Sequence, residues 1–138
     1  MLEIKKKKYE IEEPVQLRDE DNKLLYEFNM QITIEELQRI KQIIFEDAEK
    51  LKKQYKKANV EDKEKLEKEL DEKIKEKSEE FENICFKEHK EPFKEKAGQY
   101  KYDELVEAMM GFFINFFVER QLKPINTSIM NLKSLMNK

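Results

Sequence analysis

Alternating apolar and polar residues mark the first part of the chain. Three segments place an apolar side chain at every second position, the period of a half-buried β-strand: residues 2–5, 9–12 and 24–32. Pro14 restricts residues 15–18 to a strand start or an edge position, and residues 19–23 form a polar turn. The longest strand would bury one face, which carries Leu24, Tyr26, Phe28, Met30 and Ile32. The pattern predicts a small antiparallel sheet within residues 1–32, a hairpin plus one strand.

Apolar residues three or four apart replace this alternation after residue 33. Thr33 and Glu36 have the spacing of a capping box, in which each side chain satisfies a free backbone N–H at a helix start. The first apolar stripe consists of Ile34, Leu37, Ile40, Ile44, Ala48, Leu51 and Tyr55. Asn59 can cap a second helix that ends before Pro92, with a stripe of Leu66, Leu70, Ile74, Phe81 and Ile84. The stripes predict a long charged helical hairpin over residues 34–90, supported by the ion pairs Glu61/Lys65, Glu64/Lys68, Glu69/Lys73 and Asp71/Lys75.

A wider apolar surface follows in the C-terminal part. Residues 90–101 contain Pro92, Gly98 and four lysines, and we expect a charged connector there. The next helix carries an apolar arc of roughly 180°, against ~100° for a surface helix, formed by Leu105, Val106, Met109, Met110, Phe112, Phe113, Ile114, Phe116 and Phe117. Pro124 should end this helix, and Asn126 or Thr127 should cap a short tail presenting Ile129, Leu132, Leu135 and Met136. We therefore predict C-terminal helices at 103–137.

These elements together predict a mostly α, α+β fold in a single domain spanning residues 1–138. The chain has 28 Lys and Arg against 31 Asp and Glu, a net charge of −3, which argues against a dedicated nucleic-acid binder. Two Gly and three Pro leave too little turn material for an all-β sandwich. Met1 leads directly into charged residues, without a secretory signal or an apolar stretch of about 18 residues, so we expect a cytoplasmic protein without a transmembrane segment.

Few residues suggest chemistry. Cys85 and His89 lie four apart on a helix, with Glu82 and Glu88 nearby, but one Cys and one His cannot furnish a soft-ligand zinc site. A half-buried thiol and a solvated imidazole are the simpler interpretation. The adjacent carboxylates Glu12-Glu13, Glu35-Glu36 and Glu79-Glu80 lie in mixed charged runs where solvation is expected. We therefore predict no catalytic, metal or cofactor site, and a protein that is not an enzyme.

Four consecutive lysines, Lys5 to Lys8, allow two interpretations. They could contact phosphates or anionic lipid. Alternate lysines on a strand point to opposite faces, however, and Glu3, Glu10, Glu12 and Glu13 lie beside them. Protection of a sheet edge against other strands is the favoured interpretation.

The apolar arc of residues 105–118 is the most informative feature. It could be an ordinary central core helix. Alternatively, half of it packs on the hairpin and half on another chain, leaving a strip centred on Phe113, Phe117 and Met110 after the monomer folds. The predicted partner interface comprises Met109, Met110, Phe112, Phe113, Phe116 and Phe117. On this hypothesis the other chain is either a second copy, which makes the protein a homo-oligomer, or a client.

The strand-rich start, the segment Tyr26-Glu27-Phe28-Asn29-Met30-Gln31-Ile32-Thr33-Ile34-Glu35-Glu36-Leu37-Gln38-Arg39-Ile40 and the aromatic C-terminal helix together resemble a known family. They are similar to the tail assembly chaperones of long-tailed bacteriophages, small proteins encoded with the tail tube and tape-measure genes. The resemblance implies a non-catalytic protein in the bacterial host cytoplasm that self-associates and coats the apolar tape-measure protein.

A second function class stays open. A small DNA- or membrane-surface-associated regulator would use Lys5 to Lys8 and the lysines of residues 87–101. Salt separates the two hypotheses, because polyanion binding weakens steeply as salt rises whereas association through phenylalanines does not.

Overall fold

The computed structural model describes the backbone of residues 1–136 and the side chains of residues 1–59 and 61–120. It is mostly helical, with a two-stranded antiparallel sheet near the N-terminus. The elements are β1 (Ile11–Arg18), β2 (Leu24–Ile32), α1 (Ile34–Lys41), a π-helical segment (Gln42–Asp47), α2 (Ala48–Lys57), α3 (Val60–Phe86), a 3-10 turn (Lys87–His89), α4 (Lys90–Ala97) and α5 (Gln99–Met136). This arrangement confirms the predicted α+β, mostly α fold class.

The sheet is a hairpin with one face on the core. Ile11 pairs with Ile32, and Phe28, two positions before Met30, pairs with Val15. The predicted polar turn is confirmed, because Asp19 Oδ1 accepts hydrogen bonds of 2.9 Å from the backbone N–H of Asp21 and of Lys23. The shared face buries Ile11, Phe28, Met30 and Ile32, leaves Val15, Leu17 and Tyr26 half-buried, and leaves Leu24 exposed.

The prediction of a further strand at residues 2–5 is wrong, and the strand predicted at residues 9–12 begins only at Ile11. Lys5 to Lys8 consequently lie outside the sheet, so the interpretation that they protect a strand edge is also wrong. A strand needs a neighbour for its backbone hydrogen bonds, and two alternating apolar residues are too few to hold one. Pro14 lies within β1 and is tolerated because each strand of a two-stranded sheet has an open edge.

The first helix begins as predicted. Thr33 Oγ1 accepts from the Glu36 N–H at 3.2 Å, and Glu36 Oε1 accepts from the Thr33 N–H at 2.9 Å, which completes the capping box. The π-helical segment then departs from the predicted stripe. Its wider turn rotates the chain, so that Ile43 is buried whereas the predicted Ile44 is only half-buried.

Helices α2 and α3 form the predicted hairpin, but its far part is loosely packed. Leu70 is buried, Leu51, Tyr55 and Leu66 are half-buried, and Ala48 and Ile74 are exposed. None of the four predicted ion pairs comes within 4.0 Å, although all eight side chains belong to the described residues. A solvated pair of long side chains gains little by holding one geometry.

The chain between α3 and α5 differs from the predicted connector. Helix α3 ends at Phe86, earlier than predicted, and Lys87 adopts a positive φ of 52°. Its ammonium group donates to the carbonyl of Gln31 at 2.6 Å and pairs with Glu36 at 3.1 Å, which ties the turn to the end of β2 and the start of α1. Residues 90–97 form α4, with Pro92 in its first turn where a missing N–H costs little.

Phe93 is the only fully buried side chain of α4, and Ala97 packs at the edge of the core, so the mostly charged sequence gives little sign of this helix. The Phe93 ring lies 5.5 Å from that of Phe86 and 5.9 Å from that of Phe28. Gly98, with φ of 80°, then separates α4 from α5. That conformation suits glycine, which has no Cβ.

Helix α5 completes the core and continues through Pro124 to Met136. The predicted helix end at Pro124, with a separate tail capped by Asn126 or Thr127, is wrong, because a proline removes one N–H donor and need not end a long helix. The apolar face predicted for that tail, Ile129, Leu132, Leu135 and Met136, lies outside the described side chains. Within the described part, α5 buries Tyr102, Val106, Met109, Phe113 and Phe117 in one stripe.

Candidate interaction surface

The centre of the predicted partner interface belongs to the monomer core. Met109, Phe113 and Phe117 are buried, and Phe113 is fully so. The Phe113 ring meets Phe81 of α3 at 5.8 Å, edge to face, and the Phe117 ring meets Phe45 of the π-helical segment at 6.0 Å. The expectation of an exposed strip centred on Phe113, Phe117 and Met110 is therefore wrong, because α3 and the π-helical segment together cover more of the arc than one seam would.

Two other predicted interface residues stay accessible on one side of α5. Phe112 is 38% exposed and Phe116 is half-buried, with their rings stacked at 6.5 Å. The Arg120 guanidinium lies 4.4 Å from the centre of the Phe116 ring. Between this side of α5 and β1 lies a cleft of about 180 Å³ whose apolar lining includes Val15 and Leu105. We call Phe112 and Phe116 the aromatic flank.

The opposite side of α5 borders a larger apolar groove. A cleft of about 260 Å³ lies where α5 meets the hairpin, and its apolar lining is Ile43, Ile44, Ala48, Leu51, Ile74, Met110 and Ile114. A second cleft of about 520 Å³ lies between α2 and α3, and its apolar lining is Ala48, Leu51, Tyr55, Leu70 and Ile74. The clefts share Ala48, Leu51 and Ile74, so they form one surface, which we call the hairpin groove. Ile74 is 54% exposed and Ile114 is 39% exposed on it.

Sequence reasoning placed only part of this surface. Met110 is among the predicted interface residues, whereas Ile74 is predicted only as part of the apolar stripe of the second helix. One feature of the sequence does point to the groove. The apolar stripe of the second helix is thin, so it cannot fill the space opposite the broad apolar face of α5. The structure therefore moves the accessible apolar surface from the centre of the α5 arc to its two sides.

A network of ion pairs lies at one end of the hairpin groove. Asp47 Oδ2 is buried and lies 3.1 Å from Lys77 Nζ and 3.3 Å from an Arg39 nitrogen, so two cations compensate its charge without regular hydrogen-bond geometry. The Arg39 guanidinium also donates two hydrogen bonds, of 2.6 and 2.7 Å, to the Glu80 carboxylate. The hydrogen bonds from Arg39 lower the pKa of Glu80 below its ordinary value. This network holds α1, the π-helical segment and α3 together beside the groove.

The candidate chemical residues are engaged in structural contacts. Cys85 is buried, and burial raises the pKa of its thiol to about 12, which disfavours the reactive thiolate at neutral pH. His89 Nδ1 lies 2.7 Å from Tyr26 Oη, and the ring stacks on Phe28 at 4.9 Å. Glu82 accepts a hydrogen bond from Tyr102 Oη. In the part of the chain with described side chains, no group of three or more His, Cys, Asp or Glu could hold a metal ion.

Three of the predicted carboxylates, Glu36, Glu79 and Glu80, line one open cleft of about 410 Å³ between α1 and α3, together with Glu76. Glu12 and Glu13 are exposed on β1. Burial alone would raise the pKa of Glu36, but hydrogen bonds from the Thr33 N–H and the Lys87 ammonium outweigh it and lower the pKa. Glu79 is exposed. These carboxylates cap a helix, form ion pairs with Lys87 and Arg39, or face solvent.

Comparison with known proteins gives no relative: no family model, no curated protein and no solved structure matches the chain. Among the described residues, none of the helices has the length and apolar character needed to cross a membrane.

Proposed function

We propose that this protein is a non-catalytic assembly chaperone or scaffold of the phage tail assembly type, which self-associates and binds an apolar helical client such as a tape-measure protein. The observation that carries the proposal is the hairpin groove, where Ile74 and Ile114 are 54% and 39% exposed. Large aliphatic side chains clustered on a concave surface favour contact with a partner over contact with water.

A helix suits this groove as a client. The groove lies along two helices and beside a third, and its lining is aliphatic except for Tyr55 and a polar rim. An amphipathic helix binds such a surface by laying its apolar stripe between the flanking helices. Met110 adds an adaptable side chain that tolerates clients of different shape.

Charged residues on the rim of the groove would orient a bound client. Lys52, Glu67 and Asp71 line one end of the hairpin groove, and Lys77 lies at the end near α5. Rim charges contribute little affinity, but they discriminate between client orientations. No reaction is assigned to the chain, because its buried thiol and its carboxylates with lowered pKa serve packing, capping and ion pairing.

The test replaces the two exposed groove residues. The variant Ile74→Glu with Ile114→Glu should lose both self-association, measured by sedimentation velocity, and binding of a labelled amphipathic Leu-rich helical peptide, measured by fluorescence anisotropy. The matched control, Lys73→Glu with Asn115→Glu, changes exposed neighbours on the same helices and should behave as the wild type. Unchanged binding and assembly in the groove variant, with its circular dichroism intact, would refute the proposal.

The polyanion alternative is kept because Lys5 to Lys8 are all exposed and lie outside the sheet. Retention on DNA or on anionic vesicles that falls steeply between low and physiological salt would favour it. Peptide binding in the hairpin groove should instead hold or strengthen as salt rises.

A further inference from the structure

The first eight residues form an arm whose side chains are all exposed in the monomer. Leu2 is 100% exposed and Ile4 is 95% exposed, and Lys5 to Lys8 are exposed as well. The arm ends where the backbone N–H of Glu10 donates to the carbonyl of Ile32 at 2.8 Å. The same chain thus carries an uncovered apolar segment and an uncovered apolar groove.

We propose that the N-terminal arm of one copy docks in the hairpin groove of a second copy. Leu2 and Ile4 enter the groove, and the lysines follow its rim. This docking deepens the proposed self-association and rests on it. A client helix competes for the same surface, so the arm holds the groove until the client displaces it.

The spacing of the two apolar side chains fits the groove. In an extended chain Leu2 and Ile4 lie on the same side, about 6.6 to 6.8 Å apart along the strand. The groove offers two adjoining spaces, of about 520 and 260 Å³, that share the wall formed by Ala48, Leu51 and Ile74. Each space can accept one of the side chains, with Ile74 between them.

Charge favours the arm as the occupant. Glu67 and Asp71 line the groove from α3, whereas the neighbouring surface has mixed charge, with Glu64 beside Lys65 and Lys68. The only cation that lines this part of the groove, among described residues, is Lys52. Asp71 has no ion-pair partner within 4.0 Å among the residues with described side chains. The lysines that follow Ile4 supply the opposite charge.

Exchange between copies explains why both surfaces lie open in one chain. Two copies that exchange arms about a two-fold axis form the same contact twice, and the pair is closed. Docking of an arm in the groove of its own chain would form that contact once and leave nothing for assembly.

The experiment uses two complementary variants of the full chain. The arm variant, Leu2→Ser with Ile4→Ser, keeps its groove, and the groove variant, Ile74→Glu, keeps its arm. In sedimentation velocity, each alone should show a dissociation constant for self-association at least about tenfold higher than that of the wild type. An equimolar mixture should form a 1:1 complex, tighter than either variant alone and weaker than the wild type, because one arm then meets one groove.

The control Glu3→Ser changes the opposite side of the arm and should assemble as the wild type. An arm variant that assembles as the wild type would overturn the exchange while leaving the proposed self-association intact. Failure of the mixture to form the complex would also overturn it. A third outcome is a wild type that stays monomeric while the arm variant binds the Leu-rich peptide more tightly than the wild type does. That result would place the arm in the groove of its own chain and would overturn docking on a second copy.

Discussion

The two ends of the hairpin are built differently. Near the sheet, five aromatic side chains are fully buried: Phe81, Phe86, Phe93, Tyr102 and Phe113. The Phe81 ring packs on that of Phe113, and the Phe86 ring packs on those of Phe93 and Tyr102. At the far end, α2 buries no residue and Leu70 of α3 is the buried side chain opposite it. Large aromatic rings give one end a dense core, whereas aliphatic stripes leave the other end with an open groove. The difference shows that the residues that stabilise the fold and the residues that form the candidate binding surface lie in separate regions.

The largest expected effect comes from the dense end. Phe113→Ala should lower the free energy of unfolding by about 3–5 kcal/mol, because it empties a fully enclosed site between α5 and α3. Chemical denaturation measures the loss. Phe112→Ala, its neighbour on the exposed aromatic flank, is the control and should cost about 1 kcal/mol. Equal losses would mean that the two sides of α5 are packed alike.

At the far end, Leu70→Ala should cost less, about 2 kcal/mol, because the groove beside it lets the site relax or take up water. Lys68→Ala on the exposed side of α3 should stay within about 0.5 kcal/mol of the wild type. Thermal unfolding of the three proteins provides the comparison. A Leu70 loss as large as that of Phe113 would remove the contrast between the two ends.

Ile74 and Leu70 belong to the same apolar stripe of α3, so they compare an exposed position with a buried one in a single helix. The Ile74 side chain is 54% exposed, so Ile74→Ala should cost under about 1 kcal/mol in the monomer despite its place in the apolar stripe. The same substitution should weaken self-association, which sedimentation at several concentrations can detect. A cost as large as that of Leu70→Ala at high dilution would show that Ile74 belongs to a packed seam.

The smallest expected effect concerns the ion pairs beside the groove. Hydrogen bonds from Arg39 lower the pKa of Glu80 in the folded protein, so this group stabilises the fold above its ordinary pKa and the contribution is lost as pH falls through the folded pKa. Glu80→Gln should cost under about 1 kcal/mol at pH 7, because both partners are partly exposed. The difference from wild type should shrink as the pH falls through the folded pKa of Glu80. A difference that does not change with pH would indicate a steric cause.

Local signals in the sequence predicted the elements that local interactions build. The capping box at Thr33 and Glu36, the turn after Asp19 and the alternation through Phe28 each involve neighbours within a few residues. The missed elements depend on distant partners. Helix α4 buries one side chain fully, that of Phe93, against residues distant in sequence, and the π-helical segment places Ile43 rather than the predicted Ile44 in the core.

The candidate binding surface was likewise predictable from the sequence only in part. The sequence by itself determined that the α5 arc is too wide for one seam, because the helical period alone sets which side chains share a face. Only the tertiary structure decided which part of that arc stays accessible. Phe81 and Phe45 come from other elements to cover Phe113 and Phe117, and the loose packing of α2 on α3 leaves Ile74 and Ile114 beside an open groove. Burial depends on which elements meet, and no periodicity within one element contains that information.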